Sequence, residues 1–115
     1  MVLLRTPEGH KKYMDFLATN PTVRTCPMCK EQVLKSFNFW KIVDNDFPYD
    51  VIAGIHHMLV PIRHVTEDKL TQEELTELRA LKKDYINENY DYIIEPAHRN
   101  KSVPHHFHLH LIIPK

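Results

Sequence analysis

Glycine is scarce in this chain, with two residues in 115, and that excludes collagen-like and Gly-rich disordered classes. Cysteine is as rare, and Cys26 with Cys29 is too small a set for a disulfide-stapled secreted scaffold. Neither sign of charge is in excess, since fifteen basic residues balance fifteen acidic ones. No overall field therefore draws the protein onto a nucleic-acid duplex or an anionic membrane, and any phosphate it meets must be recognised locally. Long apolar runs are missing too. The segments Val51 to Ile55 and Met58 to Ile62 are only strand-length, and Met1-Val-Leu-Leu lacks the apolar region of a signal peptide. The expectation is a cytoplasmic protein.

What is present is one domain's worth of chain, 115 residues, enough for a single core and too short for two. The 43% apolar and 26% charged content suits a folded protein. Histidine is the compositional surprise, at nine residues. Imidazole is half-polar, titrates near neutrality and packs poorly as filler, so a concentration of it asks for a purpose. Five of the nine, His98, His105, His106, His108 and His110, fall in the last eighteen residues.

Patterning gives the order of elements. Tyr13, Phe16 and Leu17 recur at helical spacing between Pro7 and Thr19, with Pro7 suited to a first turn and Asn20-Pro21 to a stop. Thr25 to Lys30 reads as a tight knuckle. Phe37 to Val43 alternates as a half-buried strand, and Ile55 to Ile62 is a second strand. Thr71 and Glu74 form a capping-box pattern ahead of Leu75, Leu78, Leu81, Tyr85 and Ile86 on one helix face. Tyr90 to Glu95 and His106 to Ile113 are the last two strands, separated by a polar, basic loop. Helix, knuckle, two strands, helix and two strands make an α+β domain with an antiparallel sheet and two helices packed on it.

His106-Phe107-His108-Leu109-His110 places three imidazoles at i, i+2 and i+4, which share one face of a strand rising about 3.3 Å per residue. Phe107, Leu109 and Leu111 take the other face and pack inward. One metal ion could take two neighbouring imidazoles at about 2.0–2.1 Å, but the first and third lie about 13 Å apart, so one ion cannot use all three. Nucleophilic catalysis explains the set better, because a neutral imidazole attacks phosphorus without first losing a proton, and water can later cleave the phosphoramidate formed.

The sequence here resembles the histidine-triad (HIT) family of nucleotide hydrolases and transferases, whose motif alternates three histidines with apolar residues and adds two more apolar positions. His106-Phe-His-Leu-His-Leu-Ile112 fits that motif, and His57-Met-Leu-Val-Pro-Ile-Arg-His64 looks like the family's second conserved-looking segment. The resemblance runs from about Cys26 to Pro114 and implies a HIT-like fold, with residues 25–115 as its core and residues 1–24 as an N-terminal helical extension. It implies that His108 is the nucleophile, becoming transiently nucleotidylated. His110 would contact a phosphate oxygen or the leaving group, His57 would be a cleft histidine beside the nucleophile, and Ser102 would donate to a phosphate oxygen. Asn45-Asp46-Phe47-Pro48 resembles an element that the uridylyltransferase branch places around its nucleotide, with Asn45 and Phe47 as nucleotide contacts. A plain turn explains those four residues equally well.

Cys26-Pro-Met-Cys29 alone is half of a tetrahedral metal site, and a redox pair or two reduced thiols would give the same spacing. No strand pattern precedes Thr25, as a thioredoxin-like pair would want. The resemblance implies completion by His64 and His106, a closed Cys₂His₂ structural zinc site tying the N-terminal segment to the catalytic strand. His10, His56, His98 and His105 receive bland roles, with His56 and His105 on the far faces of their strands.

The reading is a hydrolase cleaving the α-phosphate linkage of a small nucleotide such as a phosphoramidate, an adenylate or a dinucleoside polyphosphate. As the family implies, it would act as a homodimer. Retention of His110, where the uridylyltransferase branch usually has glutamine, favours hydrolysis over transfer. Three alternatives stand beside it: a nucleotidyltransferase of that branch, a zinc-dependent hydrolase in which metal activates water, and a noncatalytic nucleotide-binding module.

Overall fold

The computed structural model describes residues 4–19, 26–100 and 103–115. Helix α1 (Pro7–Thr19) opens the described chain, followed by the short helical turn α2 (Pro27–Lys30). Strands β1 (Val33–Ser36), β2 (Trp40–Asp44) and β3 (Ala53–Pro61) precede helix α3 (Gln72–Leu81), and β4 (Tyr92–Ile94) and β5 (Leu109–Pro114) close the sheet. Spatial order is β1-β2-β3-β5-β4, with every neighbouring pair antiparallel.

The two faces of this sheet differ because side chains alternate across each strand. On one face Trp40, Ile42, Leu59, Leu109 and Leu111 pack with Phe107 and with Leu78, Leu81 and Ile86 from the α3 region. Trp40, Leu59, Leu109 and Leu111 are essentially without solvent contact. Each such side chain contributes about 1.5–3 kcal/mol of burial, which makes this layer the main source of cohesion. On the other face Val43, Met58 and Val60 meet Met28 and Val103 in a smaller cluster, and Ile112 packs with Tyr49 and Ala53.

Helix α3 is fixed to the sheet by its polar groups as much as by its leucines. Its capping box is complete, Glu74 N–H donating to the Thr71 hydroxyl while the Glu74 carboxylate accepts from Thr71 N–H. The same carboxylate, almost wholly buried, takes two donors from Arg63 at 2.7 and 3.1 Å, and the Glu74 carbonyl accepts from the Trp40 indole at 2.8 Å. One turn on, Glu77 accepts the backbone N–H groups of Asn38, Phe39 and Trp40. A five-residue π turn, Lys82–Ile86, and a last turn at Asn87–Asn89 extend the helix and bring Tyr90 back to the sheet.

At the N-terminus, the Thr6 hydroxyl accepts from Gly9 N–H as a helix cap for α1 and donates to Asp50, whose other oxygen accepts from Thr6 N–H, both at 2.7 Å. Asp50 comes so near that a Cβ on Gly9 would sit 2.7 Å from its carboxylate, so glycine is what admits this approach. Residues 5 and 6 are thereby fastened to the β2–β3 connection.

Three elements differ from the sequence reading. The strand expected from Phe37 starts at Trp40, because Phe37 N–H donates to the Trp40 carbonyl at 2.7 Å and turns a tight hairpin. Strand β1 was not foreseen; it is an exposed edge strand whose side chains bury nothing that would pattern the sequence. The final strand begins at Leu109, not His106, because the preceding residues pair elsewhere, Phe107 N–H donating to the Val65 carbonyl and His106 turning toward the cysteines. Among the described residues, no helix is long and apolar enough to cross a membrane.

Candidate functional site

Two histidine-centred clusters meet at the start of β5. In the first, Cys26 just before α2, Cys29 within it, His64 from the turn after β3 and His106 bring one ligand atom each to within 4.8 Å of one another. His106 Nδ1 lies 3.3 Å from Cys26 Sγ and 3.5 Å from Cys29 Sγ, and His64 Nδ1 lies 3.4 Å from Cys29 Sγ. The far nitrogen of His106, Nε2, is 3.0 Å from the Pro61 carbonyl. A carbonyl only accepts, so Nε2 carries the proton and Nδ1 presents its lone pair to the cysteines, the arrangement a metal ligand needs. This set could hold a metal ion. Burial raises the Cys26 thiol above its usual range.

In the second cluster, His108 Nδ1 sits 2.9 Å from the His106 carbonyl. By the same logic Nδ1 holds a proton, so the neutral form of the ring has its lone pair on Nε2, a tautomer set by backbone geometry. His110 lies alongside, the two rings 5.1 Å apart and nearly perpendicular. His110 is bracketed by His56, whose Nε2 is 2.7 Å from His110 Nδ1, and by the Tyr49 hydroxyl, 3.2 Å from His110 Nε2. Tyr49 N–H donates to His56 Nδ1 at 2.9 Å, and this fixes the whole circuit. His56 must donate through Nε2 to His110, and His110 through Nε2 to the Tyr49 oxygen. Burial, with the nearby Arg5 charge, holds both rings neutral, pushing His56 down to about 3 and His110 to about 2.

A recess of about 30 Å³ opens beside these rings, lined by His108 and His110 with Met58, Asn45, Phe47 and Glu31. Its outer wall is α1, from which Tyr13 and Phe16 pack on the Phe47 ring at centroid distances of 5.3 and 4.9 Å. Arg5 also lines it. Glu31 faces Asp46 and Asp44, and burial with those like charges pushes its carboxyl up to about 7.

Of the expected site residues, the fold brings His108, His110, Asn45 and Phe47 to one recess. Asn45 spends its oxygen on Phe47 N–H at 2.8 Å, an Asx turn, while its amide nitrogen abuts His56 Nε2 at 3.1 Å. Ser102 lies outside the described residues. His106 does not share the face of His108 and His110; it belongs to the cysteine cluster. The expectation for His57 is corrected. It sits opposite Leu111 on the α3 face, where its Nδ1 accepts from the Tyr90 hydroxyl at 2.7 Å, and alternation along β3 hands the cleft position to His56. Both faces of β3 are largely buried, so hydropathy alone could not decide between the two adjacent histidines. Tyr49, Arg5 and Glu31 went unnoticed because each reaches the site from a segment with no motif.

These features define a class of fold: an α+β domain in the HIT-like arrangement, with a five-stranded antiparallel sheet and helices packed on it. Among solved structures, the chain is similar to a HIT family hydrolase from Clostridium thermocellum, at 16% sequence identity and a TM-score of 0.53, over 79% of this chain and 91% of that one. No family model matches the sequence, and no curated protein does.

Proposed function

We propose that this protein is a histidine-triad nucleotide hydrolase, in which His108 attacks the α-phosphorus of a nucleotide bearing a phosphoramidate, acyl or polyphosphate substituent. The observation that carries the reading is the 2.9 Å contact between His108 Nδ1 and the His106 carbonyl, which leaves the lone pair on Nε2 of a ring lining the recess. Nε2 forms the bond to phosphorus as the bond to the leaving group breaks, and the positive charge left on the ring is shared with the carbonyl through Nδ1–H. Water then attacks phosphorus as the phosphorus–Nε2 bond breaks, its electron pair returning to Nε2, so that the nucleoside monophosphate and one proton are released and the neutral ring is restored.

His110 would turn its Nε2–H from the Tyr49 oxygen to a phosphate oxygen or the leaving group. It is neutral when the recess is empty, and an adjacent phosphate raises its proton affinity by direct charge attraction, so substrate binding itself primes it. His56 and Tyr49 hold it from behind. Asn45 and Phe47, together with Ser102, remain the proposed nucleotide contacts. A nucleotide pocket needs about 300 Å³ or more. The recess is far smaller, so entry requires Tyr13 and Phe16 to leave Phe47, a ring suited to stack on a base.

The cysteine cluster fits a structural zinc ion. Zinc at about 2.3 Å from sulfur and 2.0–2.1 Å from nitrogen would set tetrahedral S···N edges near 3.6 Å, and the sulfur–nitrogen distances are 3.3 to 3.5 Å. The donor set is four protein side chains, a closed site, and a bound ion would supply stability by tying α2 to the approach to β5. We treat the chain as one domain, since the N-terminal segment docks on the β2–β3 connection. A homodimer would use the β4 edge, where Tyr92 and Ile93 are 60% and 40% exposed.

The test is turnover of adenosine phosphoramidate with zinc measured on the same samples. Wild type hydrolyses it and carries one zinc per chain, His108→Ala keeps the zinc without turnover, and Cys26→Ser loses the zinc. Full turnover by His108→Ala would remove the nucleophile assignment.

A further inference from the structure

The N-terminal segment places a cation in the recess that the chemistry described so far does not use. Arg5 lines the same recess as His108 and His110 and is its only lysine or arginine among the described residues. It is held by three contacts that do not neutralise it. Its Nε donates to the Phe47 carbonyl at 3.0 Å, and its guanidinium carbon lies 4.3 Å from the centre of the Tyr13 ring and 4.9 Å from that of Tyr49. Among the described residues, the ion pairs are Lys11 with Asp15 and Arg63 with Glu74, neither of which involves Arg5.

A guanidinium held edge-on by one carbonyl and flanked by two aromatic faces keeps both terminal amino groups, in the planar fork that matches two phosphate oxygens. Withdrawal from water strengthens its attraction for an anion. The neighbouring residue, Thr6, is tied to Asp50 by two hydrogen bonds, so Arg5 stays anchored even when the far end of α1 gives way to a nucleotide. The acid lining the recess, Glu31, is pushed up to about 7 by burial and its acidic neighbours and so opposes an incoming anion less than a carboxylate normally would. The field of Arg5 is felt at His56 and His110, which places it within electrostatic reach of the reacting group.

From this placement we infer that Arg5 binds the nonbridging oxygens of the nucleotide's α-phosphate, a phosphate-binding residue supplied by the N-terminal segment. The inference rests on the nucleotide reading of the His108 recess. Its specific content is that affinity for the phosphate, as distinct from the nucleoside, comes through residue 5.

Isothermal titration of wild type, Arg5→Met and Arg5→Gln with adenosine monophosphate, adenosine and inorganic phosphate separates the two. A charge-assisted pair is worth about 1.5–3 kcal/mol, so both variants should bind adenosine monophosphate at least about tenfold more weakly. Adenosine affinity should stay within about twofold, and inorganic phosphate should bind wild type more weakly than the nucleotide does. Arg5→Lys, which keeps the charge without the fork, should fall between. Unchanged affinity for adenosine monophosphate in both charge-removing variants overturns the role of Arg5, as does an equal loss for adenosine, which would mark Arg5 as a scaffold residue. Wild type binding neither adenosine monophosphate nor adenosine would overturn the nucleotide reading itself, a result distinct from wild type binding the nucleotide and the variants matching it. Inorganic phosphate binding as tightly as the nucleotide would make Arg5 a free-phosphate site and overturn the inference in this form.

Discussion

His56 and His57 are neighbours in sequence and opposites in structure. His56 faces the recess, one hydrogen bond from His110, while His57 faces α3 and takes its hydrogen bond from Tyr90. The same division runs across the sheet: the α3 face is packed with leucines and a tryptophan, whereas the other gives space at β3 and β5 to a connected imidazole network. One face supplies cohesion, and the other carries the histidines proposed for chemistry.

The sharpest way to break this comparison is to cut each face once. On the recess face His108→Ala should lower turnover by at least about 10³-fold while leaving a cooperative fold, since it removes the proposed nucleophile. On the other face Leu111→Ala should cost about 2–5 kcal/mol in urea unfolding, because Leu111 is fully buried in the α3 layer. Its folded fraction should keep most of the activity. Should Leu111→Ala lose turnover as deeply as His108→Ala while still folded, the faces are not functionally separate.

A finer cut uses the adjacent pair. His56→Ala should reduce kcat by about ten- to hundredfold, through loss of the group that orients His110, with a smaller change in KM. His57→Ala should leave kcat near wild type and cost about 1 kcal/mol for the lost Tyr90 contact. The Tyr90 phenol, pushed up to about 12 by burial, stays protonated and remains the donor across the working pH range. Equal kcat values for the two variants would contradict the assignment of faces.

The two faces should also differ in the pH dependence of stability. His56 and His110 are neutral when folded, at about 3 and 2, against about 6.5 for an unfolded histidine. The unfolded chain therefore binds more protons below pH 6.5. Their contribution is intact above that value and is lost as the pH falls toward 3, at up to about 1.4 kcal/mol per pH unit for each ring. Urea unfolding at pH 7.5 and pH 5.0 should show this loss, and His110→Gln should make the dependence shallower. An identical slope in that variant would mean that the ring is hydrated and free to titrate.

Much of this architecture is legible in the residues. The capping box at Thr71 and Glu74, the α3 stripe and the antiparallel class follow from local patterns that tertiary structure reinforces. The triad sequence marks the right segment, but not its shape, because the pull of His106 toward two cysteines 77 and 80 residues away is a long-range interaction that delays the strand to Leu109. Parity at His56 and His57 was illegible for another reason: both faces of β3 are apolar around them, so a one-residue shift leaves the hydropathy pattern almost unchanged. Tyr49 and Arg5 arrive through the β2–β3 connection and the N-terminal segment, where only three-dimensional closure brings them to the histidines.

The central claim, that the middle imidazole makes the bond to phosphorus, is tested most directly by trapping. Rapid quenching of wild type with adenosine phosphoramidate, under conditions that preserve phosphorus–nitrogen bonds, followed by peptide mass spectrometry, should locate an adenylyl group on His108. An adenylyl group on another residue, or turnover with none formed at any time point, would contradict the account.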